Sequence, residues 1–323
     1  MPEVNPSNFF CLDLPNTDAA VALSSGGHIV LRNLEKLTGV TINLRGLQLE
    51  MTGEQSQLER ASSIVELTRY IWENGQSVSE IDLISAMKSL DKGLSSSHAA
   101  LGDKVLARSQ SGYPLWPRTL GQKKLVEAIE QNDLTFAIGP AGTGKTFLAT
   151  IVASKMLNQR LINKIILTRP AVEAGERLGF LPGDLQQKVD PYLRPLYDCF
   201  HNIYGLEKTN NLIDKGIIEI APLAFMRGRT LENAFIILDE AQNTSTAQMK
   251  MFLTRFGEKS KMVINGDITQ IDLPNGESSG LEEATKILQF IPGIATCHLS
   301  SEDVVRHKIV QKVIDAYTNF CEE

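Results

Sequence analysis

The 323-residue sequence predicts an α/β fold, a parallel sheet covered by helices on both faces, preceded by a small α+β domain. Three observations carry that prediction. Residues 139–146 read Gly139-Pro140-Ala141-Gly142-Thr143-Gly144-Lys145-Thr146, the phosphate-binding pattern G-x-x-x-x-G-K-[ST] with every required position filled. The pattern lies between the apolar run Leu134-Thr135-Phe136-Ala137-Ile138 and residues 147–159, which contain neither Gly nor Pro, as a turn from a buried strand into a helix should. Further apolar runs then alternate with helical segments, the order that sets a parallel sheet between two helical layers.

In chain order, residues 1–20 are rich in Pro, Asn and Asp and read as a loose N-terminal segment. Residues 21–90 read as the small α+β domain. A helix is expected over 29–37, and strands over 40–44 and 47–51 with Gly46 at the turn between them. A helix over 54–73 follows from the spacing of Leu58, Ala61, Val65 and Ile71 and stops at Asn74-Gly75. A shorter one over 79–90 opens on the capping pair Ser79 and Asp82. Residues 91–118 turn Ser/Gly-rich and then Pro-rich, a linker with a hairpin around Gly112. The second domain spans 119–323, with strands expected at 134–139, 164–168, 217–221, 234–239, 261–265 and 294–299. In such a sheet the ligand binds at the carboxyl ends of the strands.

Bulk properties narrow the function. A formal charge of −6 excludes a generally basic, nucleic-acid-coating surface, so any nucleic-acid site is a local groove. Cys11, Cys199, Cys297 and Cys321 form no C-x-x-C pair and read as reduced thiols, with Cys199 and Cys297 in the core. The N-terminus has neither a basic start nor an apolar stretch, and no apolar run approaches membrane-spanning length, so the expectation is a cytoplasmic protein without a membrane partner.

The chemistry-bearing residues cluster at predicted strand ends. The glycines of 139–146 let the backbone fold around phosphate oxygens and turn N–H groups inward, and the following helix adds its positive N-terminal end. Lys145 brings a point charge to the β and γ phosphates, and Thr146 offers a hydroxyl to Mg²⁺. Phe235-Ile236-Ile237-Leu238 runs into the carboxylates Asp239 and Glu240. Asp239 is placed to hold Mg²⁺, and Glu240 to orient and deprotonate the attacking water. Small-molecule kinases with a phosphate loop need no such base, so the second acid favours hydrolysis. Gln122, shortly before the loop, has a carboxamide able to read adenine's N6/N7 edge, and no Asn-Lys-x-Asp guanine reader occurs in the sequence. In Asn265-Gly266-Asp267-Ile268-Thr269-Gln270, Gln270 is the candidate γ-phosphate sensor and Asp267 its support, against a plain Asx turn at Asn265-Gly266. Arg169, Arg177, Arg194, Arg227, Arg229 and Arg306 lie near predicted strand ends or loops, where a neighbouring subunit's arginine can reach a transferring phosphate.

These residues in this order resemble the PhoH family of ATPases, including its YbeZ-type members, over about residues 20–320. The strongest segments are Gln122, residues 139–146, Leu167-Thr168-Arg169-Pro170-Ala171-Val172-Glu173, residues 178–197, Met226-Arg227-Gly228-Arg229, residues 237–243, residues 266–274 and Asp303-Val304-Val305-Arg306-His307. The resemblance implies a RecA-like core similar to the first motor domain of superfamily 1 helicases. On it, Gln122 matches the adenine-reading glutamine, Asp239-Glu240 the metal and base pair, and Gly266-Asp267 with Gln270 the sensor motif. Thr168-Arg169-Pro170 stands where helicases touch single-stranded backbone. Arg306 is the first candidate for an arginine finger acting in trans and Arg229 the second. The first domain resembles a KH module: Ser24-Ser25-Gly26-Gly27-His28-Ile29 stands where such a module carries its GxxG clamp, with Ser24 replacing the first glycine. That unit either contacts RNA or packs subunits. Because the chain carries one motor domain where helicases close two around ATP, the expectation is a homo-oligomeric ring, such as a hexamer.

Three functions follow as expectations. The first is an RNA-linked, Mg²⁺-dependent ATPase that remodels single-stranded RNA, in rRNA maturation or ribosome assembly. The second is a nucleotide-gated assembly factor that docks a ribonuclease without separating strands, for which the resemblance implies a YbeY-type endoribonuclease as partner. The third, disfavoured by Glu240 and Gln270, is a small-molecule kinase.

Overall fold

The structure is a computed structural model that describes residues 8–24, 29–170, 185–274, 277–304 and 313, with the backbone alone for 185–192. The chain divides into two compact units, Met1–Val105 with Trp116–Leu120, and Leu106–Leu115 with Gly121–Glu323.

The first unit holds β1 (Phe9–Asp13), α1 (Thr17–Ser24), α2 (Ile29–Thr38), β2 (Thr41–Arg45), β3 (Gln48–Thr52), α3 (Gln55–Leu67), α4 (Arg69–Trp72), α5 (Glu80–Asp91) and α6 (Ser95–Ala99). Its three strands form an antiparallel sheet in the order β1-β3-β2. Two expectations are corrected here. The segment read as loose up to residue 20 contains β1 and the first half of α1. β1 covers the open edge of β3 and turns Phe10 and Leu12 against the unit's core, which repays its ordering despite the polar residues around it. The single helix expected over 54–73 is two helices. At the break the Thr68 hydroxyl donates back to Ile64 O (3.1 Å) and Val65 O (3.0 Å), in competition with the helical ladder.

The second unit begins with a hairpin of β4 (Ala107–Arg108) and β5 (Pro114–Leu115), its turn using Gly112 at φ 83°. It continues with α7 (Leu120–Gln131), β6 (Leu134–Ile138), α8 (Lys145–Asn158), β7 (Lys164–Arg169), α9 (Leu185–Tyr204), α10 (Leu206–Asp214), β8 (Ile218–Pro222), β9 (Ala234–Leu238), α11 (Thr246–Leu253), β10 (Lys261–Gly266), α12 (Gly280–Leu288) and β11 (Ile294–His298). The six long strands form one parallel sheet in the order β11-β6-β10-β9-β7-β8. All six stand where the apolar runs place them, and the fold is α/β of the RecA-like phosphate-loop type.

Alternate residues of each strand feed two cores. Ala137, Ile165, Leu167, Phe235, Ile237 and Val263 pack on one face with α7, α8 and α9. Phe136, Ile166, Ile236, Leu238, Met262 and Ile264 pack on the other with α11 and α12. A parallel sheet covered on both faces needs this continuous apolar run, which is why no polar alternation marks these strands. The order leaves β10 between the strand that enters the phosphate loop, β6, and the strand that ends at the paired carboxylates, β9.

Candidate functional site

The loop between β6 and α8 is built by close approach. A Cβ on Gly139 would lie 2.6 Å from Leu299 O, so only glycine lets the strand pass the end of β11. Gly142 and Gly144 take φ 86° and 81°, the left-handed region a side chain disfavours. The buried Thr143 closes the turn by donating its hydroxyl to Pro140 O at 2.8 Å. The Lys145 ammonium donates to Gly139 O (2.5 Å) and Pro140 O (2.9 Å), so the charge is held on the inner side of the loop, with the residue only 9% exposed.

Register brings three polar side chains into a row beside this loop. Thr168 and Ile264 both pair with Leu238, so one step further Arg169 on β7, Asp239 just past β9 and Asn265 on β10 stand side by side. Their face is that of α8, because Asn265 also pairs with Ala137. The Thr146 hydroxyl donates to Asp239 Oδ1 at 2.5 Å, and Asn265 Nδ2 donates to Thr146 Oγ1 at 3.3 Å. Glu240 follows with φ 52°, a left-handed conformation unusual for a residue with a side chain and one that costs on the order of 1 kcal/mol. Its carboxylate meets Gln242 Nε2 at 2.6 Å through one oxygen and the Arg169 guanidinium at 3.6 Å through the other.

Burial, and next the neighbouring Glu240 charge, push the Asp239 carboxyl above the usual carboxylate range, while the Thr146 hydrogen bond, Arg169 and Lys145 act in the opposite direction. The balance is a buried carboxylate short of positive charge. Its donors are a hydroxyl and carboxylates, all oxygen, which suits a hard divalent cation that keeps most of its waters and takes one or two protein ligands plus phosphate oxygens. Thr146 and Asp239 therefore fit Mg²⁺. Among the described residues, no group of three or more His, Cys, Asp or Glu assembles as an all-protein metal cage.

At the end of β10, Asp267 ties the loop to the sheet. Its Oδ2 accepts from Ala141 N at 3.1 Å, its Oδ1 accepts from Thr269 N (3.0 Å) and Oγ1 (2.7 Å), and its own N–H donates to Gln242 Oε1 at 3.0 Å. Gln242 thus links Glu240 to the loop's anchor. A cavity of about 290 Å³ opens at this point, lined by Gly142, Lys145, Thr146, Asp239, Glu240 and Gln270 among others. α9 supplies the opposite wall through Pro195, Leu196 and Cys199. Cys199, expected in the core, faces the cavity instead. Burial first, and then the charge of Asp239, push its thiol up to about 12, which keeps it protonated and unreactive.

The structure therefore brings Lys145, Thr146, Asp239, Glu240, Asp267 and Gln270 together. Gln122 also stands beside the loop, but it is buried and its Nε2 donates to Thr143 O at 3.1 Å, so in this state the amide braces the loop. Arg229 is held by Glu219 through two hydrogen bonds of 2.5 and 2.8 Å, which raise the basicity of the guanidinium and lower that of the carboxylate. To serve another copy it has to leave Glu219. Arg306 and Arg177 lie outside the described residues, as do Gly26 and Gly27 of the expected KH-type clamp. Sequence reasoning missed Gln242 and the cavity wall from α9. Gln242 falls within segment 237–243, and Pro195 and Leu196 within 178–197, but what they do depends on contacts across the fold that spacing does not encode.

No helix among the described residues is long and apolar enough to cross a membrane. The family model described as "PhoH-like protein" matches residues 114–318. A PhoH-like protein of Synechocystis is 49% identical over 306 residues, covering 95% of this chain and 93% of its own length. One from Bacillus subtilis is 48% identical over 304 residues, covering 94% of this chain and 95% of its own. Among solved structures, the Pif1 helicase of Candida albicans aligns with a TM-score of 0.34 at 17% identity, over 62% of this chain and 43% of that one. With half of the chain or more matched by the family model and near-identical lengths shared with its relatives, the chain belongs to the PhoH-like protein family.

Proposed function

We propose that the chain binds ATP with Mg²⁺ and hydrolyses it, and that turnover is coupled to single-stranded RNA. The observation that supports this reading best is the convergence of Lys145, Thr146, Asp239 and Glu240 on one cavity at the carboxyl ends of β6 and β9. The backbone of 139–146 and Lys145 take the phosphates. Thr146 and Asp239 hold Mg²⁺, which supplies neutralisation of the phosphate charge when bound. Glu240 orients water and takes its proton, Gln270 faces the γ-phosphate, and Gln122 turns to the adenine edge when the nucleotide engages. An arginine from a neighbouring copy, Arg306 or Arg229, completes the site in a homo-oligomeric ring, and the protein acts in the cytoplasm. Coupling to RNA runs through Arg169, which joins the end of β7 to Glu240. The KH-like first unit adds a second RNA contact.

One observation favours the second reading, an assembly factor that uses ATP as a timer while docking a YbeY-type endoribonuclease. Both oxygens of Glu240 are engaged by the chain's own Gln242 and Arg169, an arrangement suited to slow basal turnover. Phosphate release measured with and without single-stranded RNA separates the two. Stimulation by RNA supports coupling, and its absence, with no strand separation, leaves the timer. Transfer of phosphate to a metabolite without phosphate release would revive the kinase. In the same assay Glu240→Gln should keep nucleotide binding and lower turnover roughly 10²–10⁴-fold, and wild-type turnover in that variant removes Glu240 as the base.

A further inference from the structure

Asn265 is a polar side chain beside the phosphate loop to which the reading above assigns no task. It is fully buried in a strand that otherwise reads Met262-Val263-Ile264, between the loop-bearing β6 and the carboxylate-bearing β9. A primary amide is unfavourable there unless both its ends are satisfied. One end is, since Nδ2 donates to Thr146 Oγ1 at 3.3 Å. The other, Oδ1, is buried and meets no donor of the described residues.

The hydroxyl of Thr146 explains the arrangement. It has one proton and two lone pairs. The proton goes to Asp239 Oδ1. Asn265 must then present its NH₂ to Thr146 and not its carbonyl, so the amide's orientation follows from the network. One lone pair of Thr146 is used by Asn265, and a single lone pair is left with a fixed direction.

We infer that Asn265 is a positioning residue of the cation centre: with Asp239 it locks the Thr146 hydroxyl so that one lone pair serves a divalent cation, and its Oδ1 accepts a hydrogen bond from a water of that cation's shell. The inference rests on the reading of this site as one for a Mg²⁺–nucleotide. Mg²⁺ keeps several waters, each with two polarised donors. An acceptor in register with Asp239, with no protein donor, is the place for one of them. Asn265 touches Thr146 and acts through it, as groups behind a metal's own ligands do.

The test is binding of a fluorescent adenine nucleotide to the full chain, in EDTA and across a Mg²⁺ titration, for the wild type, Asn265→Leu and Asn265→Ala. Leu keeps the branched shape and removes the amide, and the smaller Ala serves if Leu overpacks the site and does not fold. Affinity in EDTA should stay within about twofold of wild type, because the loop and Lys145 are untouched. The Mg²⁺ concentration giving half of the enhancement should rise roughly 10–100-fold, the range for loss of a group that orients a metal ligand. Variants that fold and respond to Mg²⁺ at the wild-type concentration overturn the inference. So does an equal loss of affinity with and without Mg²⁺, which would place Asn265 in support of the loop itself. A wild-type protein that binds nucleotide no better with Mg²⁺ than in EDTA overturns the reading of the site along with it, and is told apart by appearing before any variant is made.

Discussion

Buried polar side chains gather in two regions, one in each unit, and they are put together differently. In the first unit, Asp82 and His98 are each 1% exposed. Asp82 accepts from Ser79 N (2.8 Å) and Ser79 Oγ (2.6 Å), and Ser89 Oγ pairs with His98 Nδ1 at 3.0 Å. These partners lie three and nine residues apart and cap and join α5 and α6, and a distant addition is the Arg118 guanidinium, 3.4 Å from Asp82 Oδ2. In the second unit the contacts run between residues 93, 119 and 126 positions apart, from Thr146 to Asp239, from Asn265 to Thr146 and from Ala141 to Asp267. They end on a cavity. Burial of polar groups does not by itself mark a site. A leftover acceptor does not either, since Asp82 Oδ1 is one as much as Asn265 Oδ1 is. Convergence of distant strand ends on a cavity, with an acid pushed upward, does.

Removing the central charge of the second cluster should have the largest effect. Lys145→Ala is expected to reduce phosphate release on the order of 10³-fold, with a cooperative thermal melt retained, since the ammonium's bonds to Gly139 O and Pro140 O lie within the loop itself. Retention of a tenth of the wild-type rate would move the site elsewhere and break the contrast.

The first cluster should respond to acid instead. Burial lowers the His98 pKa to about 4 from its ordinary 6.5, with Asp82 acting weakly in the opposite direction. The unfolded chain therefore binds this proton first as pH falls. The contribution is fully present above about pH 6.5 and is lost between there and about pH 4, up to about 3 kcal/mol at 1.36 kcal/mol per pKa unit. Denaturant melts at pH 7 and pH 4.5 should show the loss, and His98→Gln should flatten it. An unchanged slope in that variant would mean that another group carries the acid sensitivity.

Gly139→Ala tests the geometry of the loop with a smaller effect. Its Cβ would meet Leu299 O at 2.6 Å, and backbone cannot move aside as a flexible side chain can. A loss of about 1–3 kcal/mol is expected, read as a lower melting temperature together with weaker nucleotide binding. Arg229→Ala should be the mildest. The pair with Glu219 is about one-third exposed on both sides, so its loss should change stability by under about 1 kcal/mol. A large fall in turnover at unchanged stability would identify Arg229 as the finger acting in trans.

Much of this was legible before the structure. The loop at 139–146 announces itself because phosphate binding constrains local backbone, and local backbone is written in Gly, Lys and Thr at fixed spacing. The six strands were legible because burial on both faces requires unbroken apolar runs. Two elements were not. β1 is a five-residue, mostly apolar run, Phe9–Asp13, set among Pro, Asn and Asp, too short to stand out until β3 offers it an edge. The break at Thr68 depends on a hydroxyl turning back on its own helix, which helical spacing does not register.

By itself the sequence determined the phosphate loop, the paired carboxylates Asp239 and Glu240, the parallel sheet and the family, because each is a local pattern or a periodicity. The tertiary structure alone decided which residues support that chemistry. It set Asn265 beside Thr146, turned Gln242 to join Glu240 with the end of β10, brought Arg169 against Glu240 and made α9 a wall of the cavity. The physical reason is register: neighbours in a parallel sheet are separated in sequence by whole crossover helices, and only pairing between strands places Arg169, Asp239 and Asn265 in one row.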